Sequence, residues 1–242
     1  MRIVLIGTGT NIGKTHLGVA LVTAMVRRGL PAVGLKPVES GVVPGQLGED
    51  AQALADASRS SPFHVKQGAR PQSEPAQPYA LPDPVSPHLA ARRAGVTIDL
   101  AKIAAWLDAH TPTPLLIETA GALLSPLTPT LTNLDLARAA RPDRLVLVAV
   151  DRLGVLHDVA ACMHVLRSAP ELPAPIVVLQ SPAAADTSTG TNAEELVRLG
   201  VAPVVFTMPR GSPASAECQA AALQMLKALG CDRVPAATSF GE

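Results

Sequence analysis

The segment Gly7-Thr8-Gly9-Thr10-Asn11-Ile12-Gly13-Lys14-Thr15 decides the fold of this chain. It fits the pattern Gly-x-x-x-x-Gly-Lys-Ser/Thr, in which backbone N–H groups surround the phosphates of a nucleotide. An apolar run precedes the segment at residues 3–6, and a helical pattern begins at Lys14. The motif requires this strand–loop–helix context, so the sequence predicts a loop that binds a nucleoside triphosphate.

Short apolar runs alternate with helical patterns along the rest of the chain, which predicts βα units and a mainly parallel sheet. Because the runs are continuously apolar, we expect helices on both faces of the sheet. The predicted fold class is therefore α/β, and P-loop NTPase-like. The expected strands occupy residues 3–6, 32–36, 115–118, 145–150, 176–179 and 204–206, and the expected helices occupy residues 14–28, 51–58, 100–110, 134–141, 156–168, 193–199 and 214–229.

The length of 242 residues fits one large α/β domain, so we predict a single domain over residues 1–242. A segment rich in Pro, Gln and Ser, at about residues 60–87, shows no periodicity and is expected to be irregular. The three cysteines lie far apart and form no CxxC pair, which argues against a zinc site or a disulfide framework.

The charge balance and the hydropathy pattern restrict the partners. Twenty Lys and Arg residues are matched by twenty Asp and Glu residues, so the chain has no basic field for nucleic acid or for an anionic membrane. The apolar run near the N-terminus is too short for a signal peptide, and the longest apolar stretch is too short to span a membrane. We therefore expect a cytoplasmic protein with neither nucleic acid nor membrane as a partner.

Three charged side chains are expected beside the phosphate loop. Lys36 ends the second strand, Glu118 ends the third, and Asp50 precedes the next helix. The carboxyl ends of the strands in an open α/β sheet face the crevice in which ligands bind. Two carboxylates and the Thr15 hydroxyl are hard oxygen ligands, which predicts a magnesium ion at Thr15, Asp50 and Glu118. Taken singly, Lys36 also fits a surface lysine, Asp50 a helix N-cap and Glu118 a salt-bridge partner.

Further motifs follow the loop in order: KPVESG at residues 36–41, Asp50-Ala51, SPHLAA at 86–91, ETAGA at 118–122 and Leu153-Gly154. Together with the loop, they resemble the dethiobiotin synthetase family, whose patterns at these places include GTxTxxGKT, KPVxSG, SPHxAA and EGAGG. The resemblance covers most of the chain. The family usually has Glu, Gly, Gly and Asn at four positions where this chain has Asn11, Thr119, Ala122 and Gln180, so the nucleotide base stays open.

Members of this family are ATP-dependent carboxylases, so the resemblance implies a ligase of biotin biosynthesis. It would take a diamino fatty acid, 7,8-diaminononanoate, together with CO2 and ATP, and would use Mg2+ as its cofactor. The ureido ring of dethiobiotin would form through a carbamate and a carbamic-phosphoric anhydride. The resemblance also implies a homodimer, in which the helix that begins at Gly154 meets the substrate bound to the partner subunit.

The resemblance assigns roles to individual residues. Catalytic roles fall to Lys36, Lys14 and Thr10, and substrate binding falls to Ser40, Lys36 and Gly154. The residues expected to bind ATP lie in the loop and at the ends of later strands: Asn11, Ile12, Gly13, Lys14, Thr15, His16, Asp50, Glu118, Thr119, Ala120, Gly121, Gln180, Ser181, Met208, Pro209 and Arg210.

Three other interpretations stay open. A related amidoligase would act on cobyrinate side chains, but those enzymes normally carry a glutaminase domain for which this chain has no room. A nucleotide switch of the partitioning-ATPase type usually has a further lysine early in the loop, where this chain has Thr8, Gly9 and Thr10. A degenerate homologue would bind nucleotide without turnover, in line with the four departures from the family pattern.

Overall fold

The computed structural model describes residues 1–59, 77–110 and 114–231. The strands are β1 (Arg2–Gly7), β2 (Val33–Leu35), β3 (Val38–Ser40), β4 (Tyr79–Leu81), β5 (Leu115–Glu118), β6 (Arg144–Val150), β7 (Ile176–Gln180) and β8 (Val205–Met208). The helices are α1 (Lys14–Arg27), α2 (Glu49–Arg59), α3 (Pro87–Arg93), α4 (Leu100–Asp108), α5 (Asn133–Ala140), α6 (Val155–Arg167), α7 (Asn192–Arg198) and α8 (Ala216–Ala228).

The central sheet has six strands in the order β2-β5-β1-β6-β7-β8, and every neighbouring pair is parallel. From β1 the chain crosses to β2 and β5 on one side, and from there to β6 on the other. The order therefore reverses at β1, which places a ligand crevice outside the carboxyl ends of β1 and its neighbours. The predicted α/β class with a mainly parallel sheet is confirmed.

Both faces of the sheet are covered, because alternate side chains of β1 enter two separate apolar cores. Ile3 and Leu5 pack with α1, α2 and α8, whereas Val4 and Ile6 pack with α4, α5 and α6. All six residues of β1 are buried, as the continuous apolar pattern predicts for a strand covered on both sides.

The structure contains three elements that the sequence did not predict, namely β3, β4 and α3. All six predicted strands are present, but β3 and β4 form an additional two-stranded parallel sheet, and α3 is an additional helix. Tyr79–Leu81 lies inside the segment that we expected to be irregular, and residues 60–76 of that segment lie outside the described residues. β3 and β4 have only three residues each, too few to show an alternating pattern, and β3 contains Glu39 and Ser40 rather than a continuous apolar run.

No helix in the described ranges is long and apolar enough to cross a lipid bilayer.

Leu54 of α2 is fully buried and closes the gap between α1 and β2. Its side chain lies so close to Gly18 and Gly34 that a Cβ atom at either glycine would be 3.0 Å from it. We expect Leu54→Ala to lower the free energy of unfolding by about 2–5 kcal/mol, because it opens a cavity. Urea denaturation measures this, with Val43→Ala as the control, since Val43 is 58% exposed. Equal stability of the two variants would contradict the packing described.

Candidate active site

The phosphate loop connects β1 to α1 and is fixed to the sheet on both sides. Thr8 N–H donates to the carbonyl of Val148 in β6 (3.0 Å), and the Gln180 side-chain amide donates to the carbonyl of Gly13 (3.0 Å). Gly13 has a φ of 88° and a Cβ there would lie 2.8 Å from Gln180, so only glycine fits. No side chain caps α1, which leaves its first N–H groups available to an anion.

Lys14 is buried at the start of α1, and its ammonium group donates to the carbonyl of Gly9 (3.0 Å). Burial lowers the pKa of Lys14 to about 8, although the negative charge of Glu118 opposes the shift. The ammonium group is therefore paired with a neutral carbonyl in a poorly solvated place. A phosphate group would supply the negative charge that stabilises its protonated form.

The structure brings Lys36, Asp50, Glu118 and Thr15 together beside the loop. The Lys36 ammonium group donates to Glu118 Oε1 (2.8 Å) and to Asp50 Oδ2, and the Thr15 hydroxyl donates to Glu118 Oε1 (3.0 Å). These residues come from four separate places in the chain: the residue directly after β2, the first turn of α2, the last residue of β5 and the first turn of α1. The carboxyl ends of neighbouring parallel strands place them at the same edge of the sheet.

The pKa values of Lys36, Asp50 and Glu118 depend on one another. Burial alone would lower the pKa of Lys36, but the attraction of Glu118 and Asp50 raises it above the ordinary value. Burial also opposes ionisation of Asp50, yet the adjacent Lys36 holds the pKa of Asp50 below its usual range. Burial raises the pKa of Glu118, which is 1% exposed, against the attraction of Lys36. A cation is therefore required for Glu118 to be ionised at low cost.

The oxygen atoms of this group fit a magnesium ion. Glu118 Oε2 is buried and has no hydrogen-bond partner among the described residues, so one hard oxygen ligand is free. Asp50 and Thr15 supply further oxygens at the same place. The described ranges contain no group of three or more His, Cys, Asp and Glu residues suited to a metal ion. The remaining ligands would be phosphate oxygens and water, as Mg2+ prefers.

A pocket of about 480 Å³ lies beside the phosphate loop. Its size suits a small organic ligand such as the nucleoside part of a nucleotide. Seven of the predicted ATP-binding residues line it, namely Asn11, Ile12, Gly13, His16, Gln180, Ser181 and Arg210. The sequence did not single out the other lining residues, Val150, Pro182, Ala183 and Gly211, which are loop and strand-end positions without a motif.

Several predicted ATP-binding residues use their side chains inside the fold. Met208 is fully buried, and its carbonyl accepts from Ser181 N–H (3.0 Å). Pro209 does not line the pocket, and its carbonyl faces Cys218 Sγ at 3.5 Å. The Thr119 hydroxyl donates to the carbonyl of Leu5 (3.0 Å). The buried Met208 and Thr119 would meet a nucleotide only through their backbone.

The loop after β5 lies against the phosphate loop. Leu123 N–H donates to the carbonyl of Gly7 (2.8 Å), and a Cβ at Gly121 would lie 3.4 Å from the Thr10 hydroxyl. The side-chain amide of Asn133 donates to the carbonyls of Ala120 and Ala122. The predicted residues Thr10, Ala120 and Gly121 therefore lie in two loops that are in contact with each other.

The predicted substrate-binding residues Ser40 and Gly154 lie at or beyond the carboxyl ends of strands. Ser40 ends β3, and its hydroxyl is buried without a hydrogen-bond partner in the described part of the chain. Gly154 has a φ of 93° and precedes α6, after an exposed Leu153 whose N–H donates to Asp186 (2.8 Å).

Two residues at the site were not predicted from the sequence. The carboxylate of Glu39 accepts from the backbone N–H of Asp50 (2.9 Å), and the amide of Gln77 donates to the carbonyl of Lys36 (2.9 Å). Glu39 lies within the KPVESG segment, but nothing in that pattern shows that its side chain turns toward α2. Gln77 belongs to no motif.

The chain is similar in sequence to a family model and to proteins of known function. A family model described as "AAA domain" matches residues 1–217. An ATP-dependent dethiobiotin synthetase BioD from Anaeromyxobacter dehalogenans (strain 2CP-1) is 38% identical over 196 residues, which cover 80% of this chain and 82% of that protein. One from Xanthomonas oryzae pv. oryzae (strain PXO99A) is 40% identical over 157 residues, which cover 62% and 65%.

Solved structures share the fold at low sequence identity. The septum site-determining protein MinD of Pyrococcus horikoshii in complex with Mg-ADP aligns with a TM-score of 0.55 and 15% identity, over 96% of this chain and 99% of that one. The MinC:MinD complex of Aquifex aeolicus aligns with a TM-score of 0.52 and 12% identity, over 97% of each chain. These likenesses show the fold alone.

The lowered pKa of Lys14 predicts proton uptake when a triphosphate binds. The free protein loses the Lys14 proton as the pH rises through about 8, and the phosphates favour the protonated form, so affinity should fall over the same range. Calorimetry of ATP binding at pH ~8.5, in buffers of different ionisation enthalpy, should detect this uptake. Lys14→Arg should abolish it, because arginine does not deprotonate. Binding without proton uptake by the unaltered protein would contradict the prediction.

Proposed function

The chain belongs to the ATP-dependent dethiobiotin synthetase family, and from that membership we propose that it carboxylates 7,8-diaminononanoate with CO2 and closes the ureido ring of dethiobiotin. It is an ATP-dependent ligase of biotin biosynthesis. The observation that carries the proposal is the convergence of Lys36, Asp50 and Glu118 beside Lys14 of the phosphate loop.

The reaction has three covalent steps. One substrate amine adds to CO2, which forms an N–C bond and releases a proton as the carbamate appears. A carbamate oxygen then attacks the γ-phosphorus of ATP, and ADP leaves. The second amine finally attacks the carbonyl carbon of the carbamic-phosphoric anhydride and forms the second N–C bond, the C–O bond to phosphate breaks, inorganic phosphate leaves with the electron pair, and the amine loses a proton. Phosphoryl transfer of this kind depends on positioning and charge neutralisation rather than on a covalent enzyme intermediate.

Each residue of the site has a particular role in these steps. Lys14 binds the β- and γ-phosphates, and Lys36 stabilises the charge that develops between the carbamate and the γ-phosphate. Thr10 and Ser40 donate hydrogen bonds to phosphate or carbamate oxygens; the unpartnered Ser40 hydroxyl supports this role. Mg2+, held by Thr15, Asp50 and Glu118, would neutralise phosphate charge when bound.

Gln180 can offer a hydrogen-bond acceptor to the nucleotide base. The Gly13 carbonyl can only accept a hydrogen bond, so the Gln180 amide must turn its NH2 group toward Gly13. Its carbonyl oxygen is then left as an acceptor for a ligand in the pocket that Gln180 lines. An exocyclic amino group, such as N6 of adenine, is the matching donor.

The activity is tested by mixing the protein with Mg-ATP, bicarbonate and 7,8-diaminononanoate and measuring phosphate release. The proposal requires release that depends on the diamine and matches the dethiobiotin formed. Phosphate release without the diamine would support a nucleotide switch instead. Nucleotide binding without any release would support a homologue that has lost turnover.

We also propose that the protein is a homodimer, in which Gly154 at the start of α6 meets the carboxylate of the substrate in the partner subunit. A helix N-terminus attracts an anion because its first N–H groups are unpaired. Leu153 supports this arrangement, since it is an apolar side chain 74% exposed directly before that helix.

Lys36→Met should lower kcat by about two to three orders of magnitude, because its charge acts on the transition state. Binding of an unreactive ATP analogue should persist, since the phosphate loop is intact, and this also shows that the variant is folded. Steady-state kinetics and calorimetry measure the two quantities. Lys227→Met, which removes an exposed lysine from α8, is the matched control. Near-normal turnover of Lys36→Met would exclude the role given to Lys36.

Leu153→Asp should weaken the dimer and raise the KM for the diamine while the KM for ATP stays the same. Light scattering after gel filtration measures the mass. Leu199→Asp is the control, because Leu199 is 61% exposed but lies between α7 and β8, at the other end of the sheet. If the unaltered protein is a monomer at micromolar concentration, the dimer proposal fails.

A further inference from the structure

Glu39 lies beneath the first turn of α2, the helix that carries Asp50. Its side chain is 8% exposed; Oε1 accepts from Asp50 N–H (2.9 Å) and Oε2 accepts from Ala51 N–H (3.1 Å). Gly48 directly precedes the helix, at the position where Ser, Thr or Asp normally caps these N–H groups. Glycine has no side chain for this task, so the cap comes from β3 instead.

Gln77 connects this cap to the strand end that carries Lys36. Its NH2 group donates to Glu39 Oε2 (3.2 Å) and to the carbonyl of Lys36 (2.9 Å), and its Oε1 accepts from Gly48 N–H (3.2 Å). The Lys36 carbonyl only accepts and the Gly48 N–H only donates, so the orientation of the amide is fixed. One buried side chain therefore links the backbones on both sides of the Lys36–Asp50 ion pair.

The packing leaves no room for a side chain at position 48. A Cβ atom at Gly48 would lie 2.1 Å from Glu39 Cδ, so position 48 must be glycine for the carboxylate to reach the helix. Glu39 forms no ion pair with a Lys or Arg residue in the described ranges; backbone N–H groups and the Gln77 amide are its partners. A buried carboxylate without a cation is costly, and a Ser at position 48 would cap the helix at less cost. The stability of the helix alone therefore does not explain why Glu39 caps α2.

The contacts of Glu39 and Gln77 hold the first turn of α2, where the position of Asp50 matters for the reaction. The first turn of a helix lacks intrahelical partners for its N–H groups, so without a cap it frays. Asp50 stands in that turn, and its carboxylate must reach both Lys36 and the metal position. A displacement of about 1 Å at such a site can reduce the rate about a hundredfold.

We propose that Glu39, held in place by Gln77, is a positioning residue that fixes Asp50 relative to Lys36 and thereby shapes the metal-dependent nucleotide site. The inference rests on the proposed role of Asp50 as a metal ligand. Glu39→Gln is the first test variant, because it replaces one of the two accepting oxygens with an NH2 group, which cannot accept from a backbone N–H. Gly48→Ala is the second, because it expels the carboxylate while Glu39 itself is unchanged.

The measurement is the affinity for the β,γ-methylene analogue of ATP, with Mg2+ and with a chelator. In the unaltered protein, Mg2+ should increase the affinity. Glu39→Gln and Gly48→Ala should lose at least about tenfold of this increase and keep the metal-free affinity, and kcat should fall by about ten- to a hundredfold. A residue that served only stability would not separate these two affinities.

Two controls separate the possible failures. Leu54→Ala destabilises the same helix but leaves Glu39, Gln77 and Gly48 unchanged, so it should keep the full Mg2+-dependent increase; equal loss in Leu54→Ala would overturn the proposal. Asp50→Asn should abolish the increase. If Asp50→Asn does so but the Glu39 and Gly48 variants behave like the unaltered protein, the positioning role is refuted and the proposed function stands. If Asp50→Asn keeps the increase, the metal assignment fails and the positioning role fails with it.

Discussion

The buried ion pair between Lys36 and Glu118 is the constraint on which the rest of the site depends. Glu118 is almost completely buried at the end of β5, and a carboxylate in that position is tolerated only beside a cation or a metal ion. Lys36 reaches it because β2 and β5 are neighbours in the parallel sheet. Asp50 completes the group from α2. The strand order thus determines which charges meet, and the phosphate loop after β1 brings the nucleotide to them.

The phosphate loop and the Lys36–Glu118 ion pair have different physical roles. The loop offers unpaired N–H groups and a buried Lys14, whose charged form a bound phosphate would stabilise further. The ion pair keeps Lys36 protonated in a place with little water, where a charge acts most strongly on a reacting group. The phosphate loop follows β1, and Glu118 ends the neighbouring strand β5. The carbamate and the γ-phosphate can therefore meet between the loop and the ion pair. This arrangement suits phosphoryl transfer to a carbamate.

The sequence predicted the parts of the structure that depend on local pattern. The loop motif, the six strands of the central sheet and the fold class follow from short apolar runs and glycine spacing, and family membership agrees with the resemblance carried by the motifs. The contact of Glu39 with the start of α2 could not be predicted, because it depends on how β3 and α2 pack. The partner of the Gln180 amide, which is Gly13, depends likewise on the approach of β7 to the loop. Such side-chain contacts between distant segments have no periodicity to reveal them.

The central claim is that a carbamate oxygen attacks the γ-phosphorus at the Lys36 side of the phosphate loop. Transfer of oxygen from CO2 to phosphate tests this most directly. The protein is mixed rapidly with 18O-labelled CO2, 7,8-diaminononanoate and Mg-ATP, and the inorganic phosphate is examined by mass spectrometry before the label exchanges with water. The account predicts that each phosphate released carries one oxygen from CO2. Dethiobiotin formed together with unlabelled phosphate would contradict it.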